Sequence, residues 1–162
     1  MRETASFQTL IGPITLTRED DLLTSLKFGA LQNAGTEPSN QHLRDAQQQL
    51  QEYLNGQRKQ FALPLDWQQI KGFQKEILQI ACEIPFGEIR TYGQIAAMIA
   101  KPNASRAVGA ALARNPLPIL IPCHRVVAAN GHLTGYLGEK GIQTKKFLLE
   151  LEGHHIVGEK LA

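Results

Sequence analysis

The chain has 162 residues and a net charge of +2, with 43% hydrophobic and 20% charged residues. That composition is typical of a globular protein and provides enough apolar side chains for a core without staples. The two cysteines, Cys82 and Cys123, are too few for a disulfide framework, so we expect reduced thiols. There is no signal-like N-terminus and no apolar run near the roughly 18 residues of a membrane helix, so we expect an unexported, cytoplasmic protein without a membrane partner.

Charge and composition change near residue 72. Residues 1–71 carry 7 basic and 8 acidic side chains, whereas residues 72–162 carry 10 basic and 7 acidic ones. No Asp or Glu lies between Glu88 and Glu139, although this window holds Arg90, Lys101, Arg106, Arg114 and Arg125. Such a window suggests an anionic partner, and chance spacing on a solvated face is the alternative that charge alone leaves open.

Residues 1–71 are predicted to form a small N-terminal mixed α/β domain. Alternating apolar residues within 7–28 predict a hairpin or meander, and residues 29–40, rich in Gly, Asn, Ser and Pro, predict a loop. Residues 61–63 predict a short strand. An apolar face with helical spacing predicts a helix that ends at Gly56; its members are Leu43, Ala46, Leu50, Tyr53 and Leu54.

Residues 72–162 are predicted to form a mostly helical C-terminal domain, which makes the fold class α/β (α+β). Apolar spacing predicts a helix over 72–83, with Cys82 in the core. Thr91 and Gln94 have the spacing of a capping box, which opens a helix over about 92–100. A second short helix over about 104–113 follows the turn at Pro102, so the pair has a helix-turn-helix pattern.

The second helix of this pair is built largely from Ala, Ser and Gly. A thin helix can enter a narrow groove, but small residues also allow close packing in a core. Arg106, near its N-terminus, is placed either to meet a phosphate or to insert between bases.

Cys123 is the candidate nucleophile. It follows an apolar run, Leu117 to Ile121, that predicts a buried strand bounded by prolines. Its neighbours His124 and Arg125 are potential cations, which lower a thiol pKa and favour the nucleophilic thiolate. A small buried hydrophobe is the alternative interpretation of a lone cysteine.

The rest of the chain carries less chemistry. Val126 to Ala128 predict a strand, and Thr144 to Leu151 predict a final helix with Phe147, Leu148 and Leu151 buried. Residues 154–162 are expected to form a tail. His154-His155 lack a further ligand at helical spacing, so we expect no metal site there.

Residues 115–127, Asn-Pro-Leu-Pro-Ile-Leu-Ile-Pro-Cys-His-Arg-Val-Val, resemble the active-site signature of the O6-alkylguanine-DNA alkyltransferases, also called methylated-DNA–protein-cysteine methyltransferases. The resemblance is strongest over 73–153 and includes the segments 91–96 and 105–109. It implies single-turnover, direct-reversal DNA repair, in which an alkyl group moves irreversibly from guanine O6 in duplex DNA to Cys123. It implies no cofactor and a monomer, with O4-alkylthymine as a further substrate to test and cooperative binding along DNA left open.

The resemblance also assigns roles to individual residues. Cys123 is the acceptor, His124 a base acting through a water, Glu152 its partner, and Tyr92 a proton donor to guanine N3. Asn115 is a hinge. The target nucleotide is flipped out, Arg106 fills the vacated stack, and its helix lies in the minor groove. Other expected DNA contacts are Tyr92, Ala104, Ser105, Arg114 and Arg125. The expected substrate pocket consists of Pro118, Val126, Tyr136, Leu137, Gly138 and Lys145.

This sequence departs from the family pattern in three places. Leu137 stands where many members have a small or polar residue, which bears on pocket size. The segment between Tyr136 and Glu152 is about two residues longer than in several relatives. No Cys precedes residue 82, so we expect no structural zinc in the N-terminal domain.

Three other functions fit parts of the sequence. A cysteine hydrolase would use Cys123 and His124, but it gives no reason for the thin helix or the acid-free window. A non-catalytic lesion binder would not need Cys123. Zinc binding at Cys123-His124 lacks a second pair of ligands.

Overall fold

The computed structural model describes residues 1–30, 38, 40–136 and 141–162. Within these residues the chain forms two compact units, Met1–Gln69 and Ile70–Ala162. Most of the expected loop at 29–40 lies outside the described residues, as do Leu137 and Gly138 of the expected pocket. No helix in the described part of the chain is long and apolar enough to cross a membrane.

The first unit is built on a three-stranded antiparallel meander, β1 (Arg2–Thr9), β2 (Gly12–Glu19) and β3 (Leu22–Phe28). The register pairs Thr9 with Gly12 at one turn and Glu19 with Leu22 at the other. The prediction of a hairpin or meander is confirmed, although β1 begins earlier than the sequence pattern indicated. Ile14, Leu16 and Leu23 are fully buried, which places the core against this sheet.

One helix, α1 (Gln41–Leu54), packs on the sheet. The Asn40 side chain caps it by accepting the His42 N–H at 2.8 Å, and its buried residues are the five predicted ones, Leu43, Ala46, Leu50, Tyr53 and Leu54. The short strand predicted at 61–63 is wrong. Instead, Leu65 makes a single parallel bridge to Leu23, because Pro64 has no backbone N–H to extend a ladder.

The second unit contains four helices in its described residues, α2 (Gly72–Cys82), α3 (Tyr92–Met98), α4 (Ser105–Ala113) and α5 (Gly141–Leu151). The capping box of α3 is confirmed: Thr91 Oγ1 accepts the Gln94 N–H at 3.1 Å, and Gln94 Oε1 accepts the Thr91 N–H at 2.8 Å. Cys82 is exposed at the end of α2, so its predicted place in the core is wrong.

Two short strands, β4 (Arg90–Thr91) and β5 (Val126–Val127), pair in parallel. They join the start of α3 to the segment that follows Cys123. Helix α5 begins at Gly141, where a Cβ would collide with the backbone carbonyl of Tyr136. A side chain at position 141 would therefore force the backbone at Tyr136 to shift.

The C-terminal residues fold back on the domain. Strands β6 (Ile156–Val157) and β7 (Lys160–Leu161) form a hairpin, so the expected tail at 154–162 is wrong. Ile156 packs with Val127, Leu133 and Leu149 in an apolar cluster. The burial of Ile156 gives this short hairpin an anchor that its polar composition does not indicate.

Candidate active site

The segment before Cys123 is a buried turn, and the predicted strand over 117–121 is wrong. Leu117 and Ile121 are fully buried, but the Ile121 N–H donates to the Leu117 carbonyl at 2.8 Å and closes a loop. Ile119 has a positive φ of 73°, which an extended strand does not contain. Prolines 116, 118 and 122 remove three ladder donors, so a tight turn satisfies this backbone better than a sheet does.

The Asn115 side chain holds both ends of this turn. Its Oδ1 accepts the Leu117 N–H at 2.9 Å, and its Nδ2 donates to the Ile121 carbonyl at 2.9 Å. Asn115 is itself 4% exposed, so loss of its amide would leave two buried backbone groups to find other partners. The amide therefore fixes the path of the chain from α4 to Cys123.

Cys123 lies in the wall of a cavity of about 260 Å³ within the second unit. It begins a single 3-10 turn, Cys123–Arg125, and its backbone N–H donates to the Ile121 carbonyl at 2.8 Å. The described residues that line the cavity come from α3, α4, α5 and the segment before residue 137: Tyr92, Gly109, Leu112, Ala113, Cys123, Gly135, Tyr136 and Lys145.

The Cys123 thiol is held in its neutral, protonated form. Burial raises the pKa of Cys123, and a hydrogen bond from Asn115 and the charge of Lys145 oppose this without reversing it. The expectation of a lowered pKa for the Cys123 thiol is therefore wrong. Cys123 is 5% exposed, so its sulfur loses more hydration than the interactions with Asn115 and Lys145 replace.

His124, Arg125 and Glu152 form a buried network. Glu152 Oε2 lies 2.8 Å from His124 Nε2, and the two carboxylate oxygens accept from Arg125 Nε at 2.8 Å and Nη2 at 2.9 Å. Arg125 Nη1 also donates to the Ile84 carbonyl at 2.6 Å. The Arg125 guanidinium is engaged in this network and Arg125 is 7% exposed, and the expected DNA contact by Arg125 stays a prediction.

Burial favours the uncharged form of the His124 imidazole. Burial lowers the pKa of His124, while the hydrogen bond and charge of Glu152 act in the opposite direction. Glu152 has its negative charge balanced by Arg125, so it holds the ring without forcing a proton onto it. A neutral imidazole is the form of histidine that can accept a proton.

Two further residues with polar groups, Lys145 and Tyr92, line the cavity. Lys145 is 1% exposed, and its Nζ donates to the Val126 carbonyl at 2.7 Å. Burial lowers the pKa of Lys145 to about 8. Tyr92 Oη lies 2.5 Å from Thr134 Oγ1, and the Tyr92 ring centroid is 5.9 Å from Lys145 Nζ.

The outer surface of α4 presents small side chains and one cation. Val108, Ala111 and Leu112 are buried, whereas Arg106, Ala107 and Ala110 are exposed. Ala104 and Ser105 are half-buried at the start of the helix, and Arg114 is exposed just beyond its end. The small residues on the outward face favour approach to a narrow groove, while those on the inward face serve packing.

The sequence located some of the cavity and missed other parts. Lys145 and Tyr136 line it as expected, whereas Pro118 and Val126 are buried and are not among its described lining residues. Gly109, Leu112, Ala113 and Gly135 were not foreseen, because they contribute backbone and apolar surface rather than a reactive group. The period of α4 could have indicated Gly109 and Ala113, which lie four residues apart on one face.

A buried thiol in the wall of a small cavity, followed in the chain by an imidazole that is paired with a carboxylate, is typical of a protein that uses cysteine as a nucleophile. Family comparison makes this class specific. The family model described as "6-O-methylguanine DNA methyltransferase, DNA binding domain" matches residues 72–154, and "6-O-methylguanine DNA methyltransferase, ribonuclease-like domain" matches residues 4–67. The chain belongs to the 6-O-methylguanine DNA methyltransferase family.

Individual relatives are similar to this chain over nearly its full length and theirs. The methylated-DNA–protein-cysteine methyltransferase of Methanosarcina acetivorans is 43% identical over 92% of this chain and 97% of its own. The constitutive methylated-DNA–protein-cysteine methyltransferase of Bacillus subtilis is 42% identical over 90% of this chain and 92% of its own. The crystal structure of Mycobacterium tuberculosis OGT in complex with DNA has a TM-score of 0.80 and 39% identity, covering 93% of this chain and 92% of that one.

Proposed function

We propose that this protein repairs O6-alkylguanine in DNA by moving the alkyl group onto Cys123. The observation that carries the proposal is the position of this thiol: it faces a base-sized cavity next to an imidazole–carboxylate pair, in a chain that belongs to a family of cysteine methyl acceptors. The product is a thioether, so each polypeptide acts once and needs no cofactor.

Activation of the thiol begins from two neutral groups. The Cys123 proton passes through a water to His124, and Glu152 stabilises the resulting imidazolium across the 2.8 Å hydrogen bond. The thiolate attacks the alkyl carbon, and the electron pair of the C–O6 bond stays on the guanine. Burial, which raises the thiol pKa at rest, makes the desolvated thiolate more reactive once it forms.

The leaving guanine needs a proton, and Tyr92 supplies it. Tyr92 lines the same cavity as Cys123, and burial raises the pKa of Tyr92, so the hydroxyl keeps its proton at neutral pH. A hydrogen bond from Tyr92 to guanine N3 draws charge away from O6 as the bond breaks. Lys145 adds a positive charge near the sulfur, in agreement with its effect on the pKa of Cys123.

DNA is recognised by the pair of helices α3 and α4 acting as a helix-turn-helix, within a C-terminal domain over 72–162 that binds DNA and accepts the alkyl group. The exposed Ala107 and Ala110 let α4 approach the floor of the minor groove. The target nucleotide leaves the stack at a cost of a few kcal/mol, and the exposed Arg106 fills the gap. Ala104, Ser105 and Arg114 flank that contact along the backbone of the duplex.

The experiment is direct detection of the transferred group. The protein is incubated with duplex DNA containing one O6-methylguanine, digested with protease, and its peptides are weighed. We expect one added methyl group on the peptide that holds Cys123 and none in Cys123→Ala. The matched control is Cys82→Ala, which removes the exposed thiol of α2 and leaves transfer unchanged; methylation that follows Cys82 instead would refute the proposal.

A further inference from the structure

We propose that Thr134 is a positioning residue for the alkyl transfer: its hydroxyl donates to Tyr92 Oη and turns the phenolic proton toward N3 of the bound guanine. This inference rests on the proposed function and adds to it a residue that the active-site signature at 115–127 does not include. The geometry that carries it is the 2.5 Å separation of the two hydroxyl oxygens, one of which belongs to Tyr92, a residue that lines the cavity.

The Tyr92 ring is held from several directions. It is the first residue of α3, directly after the Thr91 cap. A Cβ added to Gly109 of α4 would lie 3.7 Å from Tyr92 Cε1, so that helix passes close to the edge of the ring. Lys145 Nζ lies 5.9 Å from the ring centroid. These contacts fix the plane of the ring but leave the direction of its O–H bond to be set by a hydrogen bond.

Thr134 is held next to Tyr92 by its neighbour in the chain, Leu133. Leu133 is 3% exposed in the cluster with Val127, Leu149 and Ile156, and its N–H donates to the Glu159 carbonyl at 2.8 Å. The hairpin β6–β7 therefore anchors residue 133 and places the next side chain against Tyr92. This gives the C-terminal hairpin a connection to the chemistry of the cavity.

Two hydroxyls at this distance share one proton along the line between them. If Tyr92 donates to Thr134, the phenolic proton points away from the substrate and cannot reach N3. If Thr134 donates, Tyr92 Oη is the acceptor in this bond and its own proton is available to a ring nitrogen. A base that offers N3 as an acceptor selects the second arrangement, because only that arrangement satisfies all three groups.

The arrangement also suits the charge that develops during transfer. The C–S bond forms at Cys123, the C–O6 bond breaks with its electron pair kept by guanine, and N3 takes the proton from Tyr92 Oη. The phenolate so formed accepts the hydrogen bond of Thr134, which keeps its own proton. The thiol proton held by His124 then returns to Tyr92 through solvent, so that thiol and O6-alkylguanine yield thioether and guanine.

Thr134→Val tests this, because it keeps the shape of the side chain and removes only the hydroxyl. Single-turnover rates are measured at saturating duplex DNA containing O6-methylguanine. We expect Thr134→Val to slow transfer about tenfold, the size expected for one hydrogen bond to a developing charge, with little change in DNA affinity. Thr134→Ser, which restores the hydroxyl, returns the rate to within about twofold.

A second substrate separates this role from a general effect on the pocket. In 3-deaza-O6-methylguanine a C–H group replaces N3, so Tyr92 has no acceptor. We therefore expect wild type and Thr134→Val to transfer the methyl group from this substrate at the same rate. An equal loss on both substrates, or no loss on the natural lesion, overturns the inference. Failure of the proposed function is distinct, since wild type would then leave Cys123 without a methyl group. In a Tyr92→Phe background, Thr134→Val has no further effect.

Discussion

Burial of Lys145 makes the free energy of unfolding depend on pH, and the lowered pKa of this residue sets the size of that dependence. Its Nζ is buried, and the pKa falls from the usual 10.5 to about 8 because burial penalises the ammonium. Where Lys145 is protonated in both the folded and the unfolded chain, this burial lowers the free energy of unfolding by about 3 kcal/mol. Replacing the lysine by the apolar, flexible methionine of similar length removes that cost.

The sign follows from the order of the two pKa values. Between about pH 8 and pH 10.5 the unfolded state binds more protons at Lys145 than the folded state, so this residue's contribution to the free energy of unfolding rises with pH. The penalty is complete below that window and absent above it. At low pH the free energy of unfolding of Lys145→Met should exceed that of wild type. This difference should shrink by about 2 kcal/mol from about pH 7 to pH 9.5.

The assay is urea unfolding of both chains across that pH range. Both carry Cys123→Ala, because the raised pKa of that thiol titrates nearby with the opposite sign. The matched control is Lys146→Met, which removes the half-buried lysine next along α5. A stability difference between Lys145→Met and its parent that does not change with pH would refute the reasoning, because burial of the ammonium would then carry no measurable cost.

The remaining predictions concern DNA contact and the buried network. Arg106→Ala should slow repair of duplex far more than reaction with the free alkylated base, measured as paired single-turnover rates. The proposed role gives this exposed side chain a contact with the duplex and none with the reacting atoms, so equal losses would contradict the inserting role. Glu152→Gln should destabilise the fold by roughly 3 kcal/mol in urea, since it leaves the buried Arg125 guanidinium without a counter-charge. Glu3→Gln, which breaks a more exposed ion pair, should cost about 1 kcal/mol or less, and similar losses for both would contradict the role of burial.

Short sequence patterns predicted the parts of the fold that depend on interactions between residues close in the chain. The apolar face of α1 and the capping box of α3 follow from spacing alone, since helical periodicity and cap chemistry act within a few residues. The segment at 117–121 shows the limit of that approach. Its apolar residues are buried as expected, but the Asn115 amide and three prolines bend it into a turn, and composition does not distinguish the two.

The candidate site was predictable in its reactive residues and not in its electrostatics. The signature around Cys123 indicated the thiol, the imidazole and, through the family resemblance, Glu152. Sequence neighbours suggested a thiol with lowered pKa, but the folded chain directs Arg125 to Glu152 and buries the sulfur, so desolvation prevails. Thr134 carries no motif, and only the fold brings it to Tyr92.

The most direct test of the account is a count of lesions repaired per polypeptide. A fixed amount of protein is titrated with duplex DNA carrying O6-methylguanine, and residual lesions are measured after the reaction stops. Irreversible transfer to one sulfur predicts a plateau at one lesion per chain, with the methyl group recovered on Cys123. Repair that continues through several lesions per chain, or lesions that disappear while Cys123 stays unmodified, would contradict it.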